Sequence, residues 1–268
     1  MRAWLRGLPA RRRVFVAGVA LVAVAGVGGA AITIGVHLIS APPAPRGLPR
    51  QDRPGPVLLV PGYGGSTASL SGLARAIRAA GRRATVLHLP GNGTGDLSQD
   101  AAVLNAAVSQ ALRAGAPSVD VIGYSAGGVT ALLWAREDDG RGKARRIVTL
   151  GSPFHGTVVA GTAAGFAPGA CPVACQQLVP GSSLLAGLGA RAPAGLPWLS
   201  LWTTDDATVV PPDSARLAGA VDVPVQSVCQ GQRISHAELP TSPAVTAMVL
   251  GAISPGPMRR PSPADCPG

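Results

Sequence analysis

Apolar positions along this chain fall into two alternating patterns. Residues 56–60 (Pro-Val-Leu-Leu-Val) form a short continuous apolar run, and in 67–80 the apolar side chains recur at helical spacing (Leu70, Leu73, Ala74, Ile77), which predicts a strand followed by a helix. The alternation continues with a strand at 84–89, a helix around 98–114, a strand at 119–122, a helix at 126–136 and a strand at 147–150. Strands apolar at every position are covered on both faces, so the pattern predicts an α/β fold with a mostly parallel central sheet and helices on both sides. After Gly151 the pattern gives way to a Gly/Pro-rich stretch reaching about Pro197. That is too long for an ordinary connection, and it reads as an insertion, about 154–197, over a site. Strands at 199–203 and 225–228 and a helix at 243–253 complete the series, with no internal repeat.

The first 53 residues follow other rules. Arg2, Arg6, Arg11, Arg12 and Arg13 precede a run of 26 residues, 14–39, whose one ionisable residue is His37. As a helix this run is long enough to cross a bilayer core of about 30 Å, with the basic flank held in the cytoplasm and the rest of the chain outside. It exceeds an ordinary secretory apolar region and offers no clear cleavage site, so an uncleaved anchor is preferred over a cleaved signal. Arg12-Arg13-Val14-Phe15 also resembles a twin-arginine export signal. Either way the working domain is expected to be exported, outside the cell or anchored to the outer face of the cytoplasmic membrane. The boundaries read as 1–40 for the transmembrane or signal helix, 41–55 for a Pro-rich linker, 56–254 for the α/β domain and 255–268 for an extended tail.

Charge then loses most of its apparent meaning. The net charge of +10 divides into +7 for residues 1–53 and +3 for the remainder, where no Lys/Arg stripe alternates with aromatics. Nucleic-acid binding therefore has no electrostatic support in the domain. Cys171, Cys175, Cys229 and Cys266 suit an oxidising compartment and allow two disulfides in three connectivities, of which Cys171–Cys175 with Cys229–Cys266 is preferred. A zinc site at the first pair is the rival reading, but no nearby His or second close Cys pair completes it, and no metal is expected.

The candidate chemistry lies at predicted strand ends. Gly123-Tyr124-Ser125-Ala126-Gly127 sits between a strand and a helix, where a sharp turn projects the serine hydroxyl and needs small residues on either side. The chain offers His37, His88, His155 and His236 as bases. The order serine, acid, histidine in such sheets leaves His236. The acid must follow a late strand to orient the imidazole, and Asp205 and Asp206 are the candidates, with Asp213 and Asp222 farther beyond the strand. After the first strand, Pro61-Gly62-Tyr63-Gly64-Gly65 lacks the third glycine of a dinucleotide loop, and no acidic residue ends the next strand to hold a ribose. In an acyl-transfer enzyme this loop instead supplies the Tyr63 N–H, paired with that of Ala126, to a developing oxyanion. Phe154, His155, Phe166 and Trp198, with Leu178, Leu184, Leu185 and Leu188, are candidates for an acyl pocket walled by the insertion, against ordinary packing of a Gly/Pro-rich excursion.

Together, the 61–65 loop, Leu89-Pro90-Gly91-Asn92-Gly93-Thr94-Gly95-Asp96, the serine turn, Gly151-Ser152-Pro153-Phe154-His155-Gly156-Thr157 and Ile234-Ser235-His236 resemble secreted bacterial lipases and esterases of the α/β-hydrolase fold. The likeness is strongest to a small lipase class, of the actinobacterial triacylglycerol-lipase type, with a Gly-Tyr-Ser-x-Gly-Gly turn, and it spans about residues 56–239. Relatives usually carry His-Gly where this chain has Pro61-Gly62. The resemblance implies an α/β-hydrolase fold and hydrolysis of carboxylic esters, acylglycerols among them, with no organic cofactor. It favours Asp206 over Asp205, because an acid followed by two residues and Val is similar to the acid loop of these enzymes. The expected partner is a lipid or ester substrate, plus the membrane if the N-terminal helix is retained, and the chain is expected to be a monomer. A soluble-ester esterase or a cell-envelope acyltransferase would use the same three residues, and a non-catalytic lipid- or partner-binding protein is the remaining alternative.

Overall fold

The computed structural model describes residues 47–166 and 168–266. The expected N-terminal targeting helix lies outside them, and among the described residues no helix is long and apolar enough to cross a membrane. Six parallel strands form one sheet: β1 (Val57–Val60), β2 (Ala84–Val86), β3 (Val119–Tyr124), β4 (Ala144–Leu150), β5 (Trp198–Trp202) and β6 (Val221–Pro224), in the order β2-β1-β3-β4-β5-β6. The helices are α1 (Ala68–Ala79), α2 (Leu97–Arg113), α3 (Ala126–Glu137), the single turn α4 (Gly140–Lys143), α5 (Val158–Phe166), α6 (Val173–Gln177), α7 (Ser183–Leu188) and α8 (Pro243–Ala252).

Alternation along β1 shows why continuous apolar runs are needed. Leu58 and Val60 turn into the core shared with α2 and α3, while Val57 and Leu59 turn into the core shared with α1 and α8. Helix α1 buries Leu70, Leu73, Ala74 and Ile77 on one stripe. Each Leu or Ile so buried contributes roughly 1.5–3 kcal/mol. Helix α3 is buried from Ala126 to Ala135, which fixes the start of this helix beside Ser125 at the carboxyl end of β3. Helix α2 begins where the Asp96 side chain accepts a hydrogen bond from Ser98 N at 2.9 Å.

Two expectations shift. The last strand is Val221–Pro224, and the apolar run at 225–228 holds a 3-10 turn, Val225–Ser227, instead. β6 pairs only with β5, so its outer edge tolerates Pro224, which has no N–H to donate. The insertion folds into α5, α6 and α7, short helices interrupted by Gly and Pro, rather than staying irregular. Both disulfides join the expected pairs, Cys171–Cys175 and Cys229–Cys266. The C-terminal tail is held by more than Cys266: Gly256 N donates to Gln51 O at 3.2 Å, and Arg259 Nη1 to Asp265 Oδ2 at 3.0 Å.

Candidate active site

β1 and β3 are neighbours, and the chain leaves β1 toward β2 on one side and enters β3 on the other. The carboxyl ends of strands at such a reversal leave a crevice. Ser125 stands there, one residue beyond β3 and immediately before α3, with φ 53° and ψ −125°. A serine at positive φ is strained and is held only by its surroundings. Its amide donates to Leu150 O at the end of β4 at 2.8 Å. A Cβ on Gly123 would lie 2.6 Å from Gly127 O, and one on Gly127 would collide with the carbonyl oxygens of Val60 and Pro61. The sharp turn therefore needs both glycines.

Three side chains that are remote in sequence meet at this turn. Ser125 Oγ lies 3.0 Å from His236 Nε2, and His236 Nδ1 lies 2.7 Å from Asp206 Oδ2. Asp206 and His236 are buried, and Ser125 is partly open to the crevice. The other oxygen of Asp206 accepts from Thr208 N at 2.9 Å and Val209 N at 2.7 Å, which fixes the carboxylate with one edge toward the imidazole. With the carboxylate at Nδ1, the tautomer carrying its proton there presents the Nε2 lone pair to the serine hydroxyl. Asp205 turns away, its Oδ1 3.5 Å from Arg233 Nη1. The structure thus brings Asp206, and not Asp205, to His236.

The loop after β1 approaches the serine from the opposite side. A Cβ on Gly62 would lie 2.9 Å from Ser125 Cβ, so the loop backbone passes directly over Ser125. Gly65 N donates to Gly62 O at 3.0 Å, closing a turn that carries Tyr63 beside Ser125. Ala126 opens α3, where the first N–H groups have no intrahelical acceptor. Tyr63 and Ser125 both line an apolar cavity of about 290 Å³, together with Pro153, Val159, Thr208 and Val209. A wider cleft of about 630 Å³ beside Asp96, Arg136 and Glu137 has no comparable nucleophile and base. Among the described residues no group of three His, Cys, Asp or Glu is placed to hold a metal ion.

The four aromatic and imidazole pocket candidates lie elsewhere. Phe154 and Trp198 pack edge to face in the core, with ring centroids 6.3 Å apart, and Trp198 Nε1 donates to Thr149 Oγ1 at 3.2 Å. Phe166, at the end of α5, is 91% exposed. His155 is exposed on the surface, with Nδ1 3.2 Å from Ser214 O. None of the four lines the cavity. Its walls on the insertion side include the small side chains of Ala160, Ala163 and Ala170, and bulky residues in their place would fill the space.

Supporting residues also emerge that sequence reasoning did not single out. Tyr124 donates its hydroxyl to His236 O at 3.2 Å, and its ring centroid lies 5.2 Å from that of the imidazole. Burial, with the Asp206 charge second, pushes the Tyr124 phenol up to about 12, so it stays a donor at any physiological pH. Thr203 Oγ1 donates to Ile234 O at 2.6 Å and accepts from Gln226 Nε2 at 2.8 Å, tying the acid loop to the histidine loop. Ser235 N and Oγ both donate to Glu238 Oε2, at 2.8 and 2.6 Å. These bonds hold the Glu238 carboxyl below its ordinary range and close the turn that starts at His236. The adjacent Gly-Tyr-Ser sequence was a signal for Tyr124, whereas nothing local marks Thr203 or Gln226.

The comparisons agree on the architecture. A family model described as alpha/beta hydrolase fold matches residues 55–168. No curated protein matches the chain by sequence. Among solved structures it is similar to Aspergillus fumigatus lipase B, with TM-score 0.62 and 19% identity over 81% of this chain and 56% of that one. The chain thus spans little more than half the length of that lipase. It is also similar to the mature form of Bacillus licheniformis lipase BlEst2, with TM-score 0.54 and 18% identity over 67% of this chain and 86% of that one. A third similar structure is the alpha/beta hydrolase enzyme MGS-MChE2 from a lagoon-sediment metagenome, with TM-score 0.50 and 17% identity over 76% and 90%. The chain has the α/β-hydrolase fold.

Proposed function

We propose that this chain is an exported serine hydrolase that cleaves carboxylic esters of lipids through an acyl-enzyme, and that it is akin to small secreted bacterial lipases and esterases. The observation that carries the reading is the continuous contact from Ser125 Oγ through His236 to Asp206, at 3.0 and 2.7 Å, on a serine held at positive φ. Each member has one role. Ser125 Oγ forms a bond to the ester carbonyl carbon while His236 Nε2 takes its proton, and Asp206 stabilises the imidazolium that results. The carbonyl oxygen becomes an oxyanion facing the N–H groups of Tyr63 and Ala126. His236 then gives its proton to the departing alcohol oxygen, leaving Ser125 acylated. Water loses a proton to His236 as it attacks the acyl carbon, and that proton returns to Ser125 Oγ when the acid leaves.

An apolar cavity beside the nucleophile suits an acyl chain and is the reason for choosing lipid esters over polar ones. Export rests on the basic-then-apolar N-terminal sequence and on two disulfides, which persist in oxidising compartments. The test is hydrolysis of p-nitrophenyl butyrate by the full chain and its Ser125→Ala variant, with fluorophosphonate labelling of both. The expected result is labelling of the wild type alone and a loss of turnover of about a thousandfold or more in the variant. Equal turnover by both proteins would sink the reading.

A further inference from the structure

The cavity beside Ser125 has an unusual composition on its insertion side. Helix α5 presents Ala160 and Ala163, three residues apart on one face, and α6 contributes Cys175 with Leu178 just beyond it. These two helices form one clamped unit. Thr157 N donates to Leu178 O at 3.0 Å, Gln176 Nε2 donates to Cys171 O at 2.9 Å, and the Cys171–Cys175 disulfide closes α6 on the turn before it. Ala174 N donates to Thr94 O at 3.1 Å, which joins the unit to the loop before α2.

The wall offers a ligand no ionic contact. From Gly156 to Ala190 the chain holds no Asp, Glu, Lys, Arg or His. Thr157 Oγ1 is already committed, donating to Thr208 O at 2.8 Å and accepting from Val210 N at 3.0 Å. A charged or strongly hydrogen-bonding substituent entering here would lose its water without replacement. The space is also small. At roughly the 30 Å³ that a water molecule, and similarly a methylene, takes up in the liquid, about 290 Å³ accommodates no more than about nine or ten carbons, fewer with imperfect packing.

Building on the hydrolase reading, we infer that this cavity is a length-limited pocket for uncharged acyl chains of about eight carbons or fewer, its capacity set by Ala163 and Leu178 in the disulfide-clamped α5–α6 unit. Each methylene that enters leaves water, and the gain corresponds to a rise of about three- to fourfold in kcat/KM. Carbons beyond the limit remain outside and add little.

The experiment measures kcat/KM of the full chain for p-nitrophenyl esters from acetate to palmitate, kept below their aggregation limits. The logarithm is expected to climb to about C8 and then level. Ala163→Leu adds bulk inside the cavity and moves the break down by about three carbons, whereas Leu178→Ala moves it up by about two or three. If Leu178→Ala lowers the thermal midpoint too far to assay, Ala163→Leu alone carries the test, because its partly exposed site tolerates the larger side chain. A break near C8 that shifts as described supports the inference. A rise that continues past C12, equal rates at every length, or a break that stays put in the folded variants overturns it. Failure of the hydrolase reading looks different: no ester is turned over and fluorophosphonate leaves Ser125 unlabelled, in which case the length limit falls with it.

Discussion

Buried aspartates in opposite circumstances lie near the two ends of β3, one on the strand itself and one on the loop after β5. At the start of β3, Asp120 accepts from Arg145 Nε at 2.9 Å and Nη2 at 2.5 Å, and from Arg82 Nη2 at 2.8 Å. Arg145 and Arg146, both fully buried, also donate to the carbonyl oxygens that end α8, those of Ile253 and Ala252 among them. Beyond the other end of the strand, Asp206 meets one imidazole, which in turn meets a serine hydroxyl. Guanidinium groups keep their charge through the neutral range, so there the first network is permanent and ties the C-terminal segment to the sheet. An imidazole can take a proton from the hydroxyl beside it and give it up again, so the second network is suited to change. A third carboxylate, Asp100 on α2, is buried with no cation beside it among the described residues, and its Oδ1 has no hydrogen-bond partner among them. Carboxylate burial alone therefore tells little about role, and the partner decides it.

The contrast yields three graded tests. The largest effect is expected at the changing network: Asp206→Asn should lower turnover of p-nitrophenyl butyrate by about ten-thousandfold, through loss of the correct imidazole tautomer, with little change in stability. Asp205→Asn, which faces Arg233, should stay within a few-fold of wild type, and comparable losses at both positions would mean the acid is misassigned. At the permanent network, Asp120→Asn leaves Arg145 and Arg82 without their counter-charge and should cost about 3–5 kcal/mol in urea unfolding, with turnover per folded molecule unchanged. A variant that keeps its stability but loses activity would erase the distinction between the two ends.

The smallest effect is at the isolated carboxylate. Burial, with the Asp96 charge second, pushes the Asp100 carboxyl up to about 6. A carboxyl whose folded value lies above its unfolded one holds its proton more tightly when folded. Stability from this group is therefore intact below about pH 4, declines as pH rises toward 6, and is lowest above that. Asp100→Asn should accordingly be more stable than wild type at pH 7 by on the order of 1–2 kcal/mol, with the gap closing near pH 4. Urea midpoints at both pH values measure it, and a gap that is constant with pH would show that ionisation is not its cause.

Much of this site was legible along the chain because its geometry is local. Gly123 and Gly127 flank Ser125 within one turn, and backbone collisions at that turn require them whatever the rest of the protein does. His236 followed from chain order. The choice between Asp205 and Asp206 was harder, since neighbouring residues on a loop point in different directions, and the Asx-type bonds from Thr208 N and Val209 N settle which one faces inward. The strand expected at 225–228 failed because an apolar run is equally at home in a 3-10 turn that buries Val225. The pocket was legible only at Leu178, which lines it. Phe154 and Trp198 have the size and apolarity to fill a core, and they do.

The sequence by itself therefore determined the alternation of strand and helix, the serine turn and the serine-acid-histidine order. These depend on side-chain periodicity and on sterics between residues a few positions apart. Only the tertiary structure decided which carboxylate meets His236, that Thr203 and Gln226 brace the two loops, and that a cavity exists where Ala160 and Ala163 face Leu178. A cavity is volume left unfilled between distant segments, and no single segment records what the others fail to occupy.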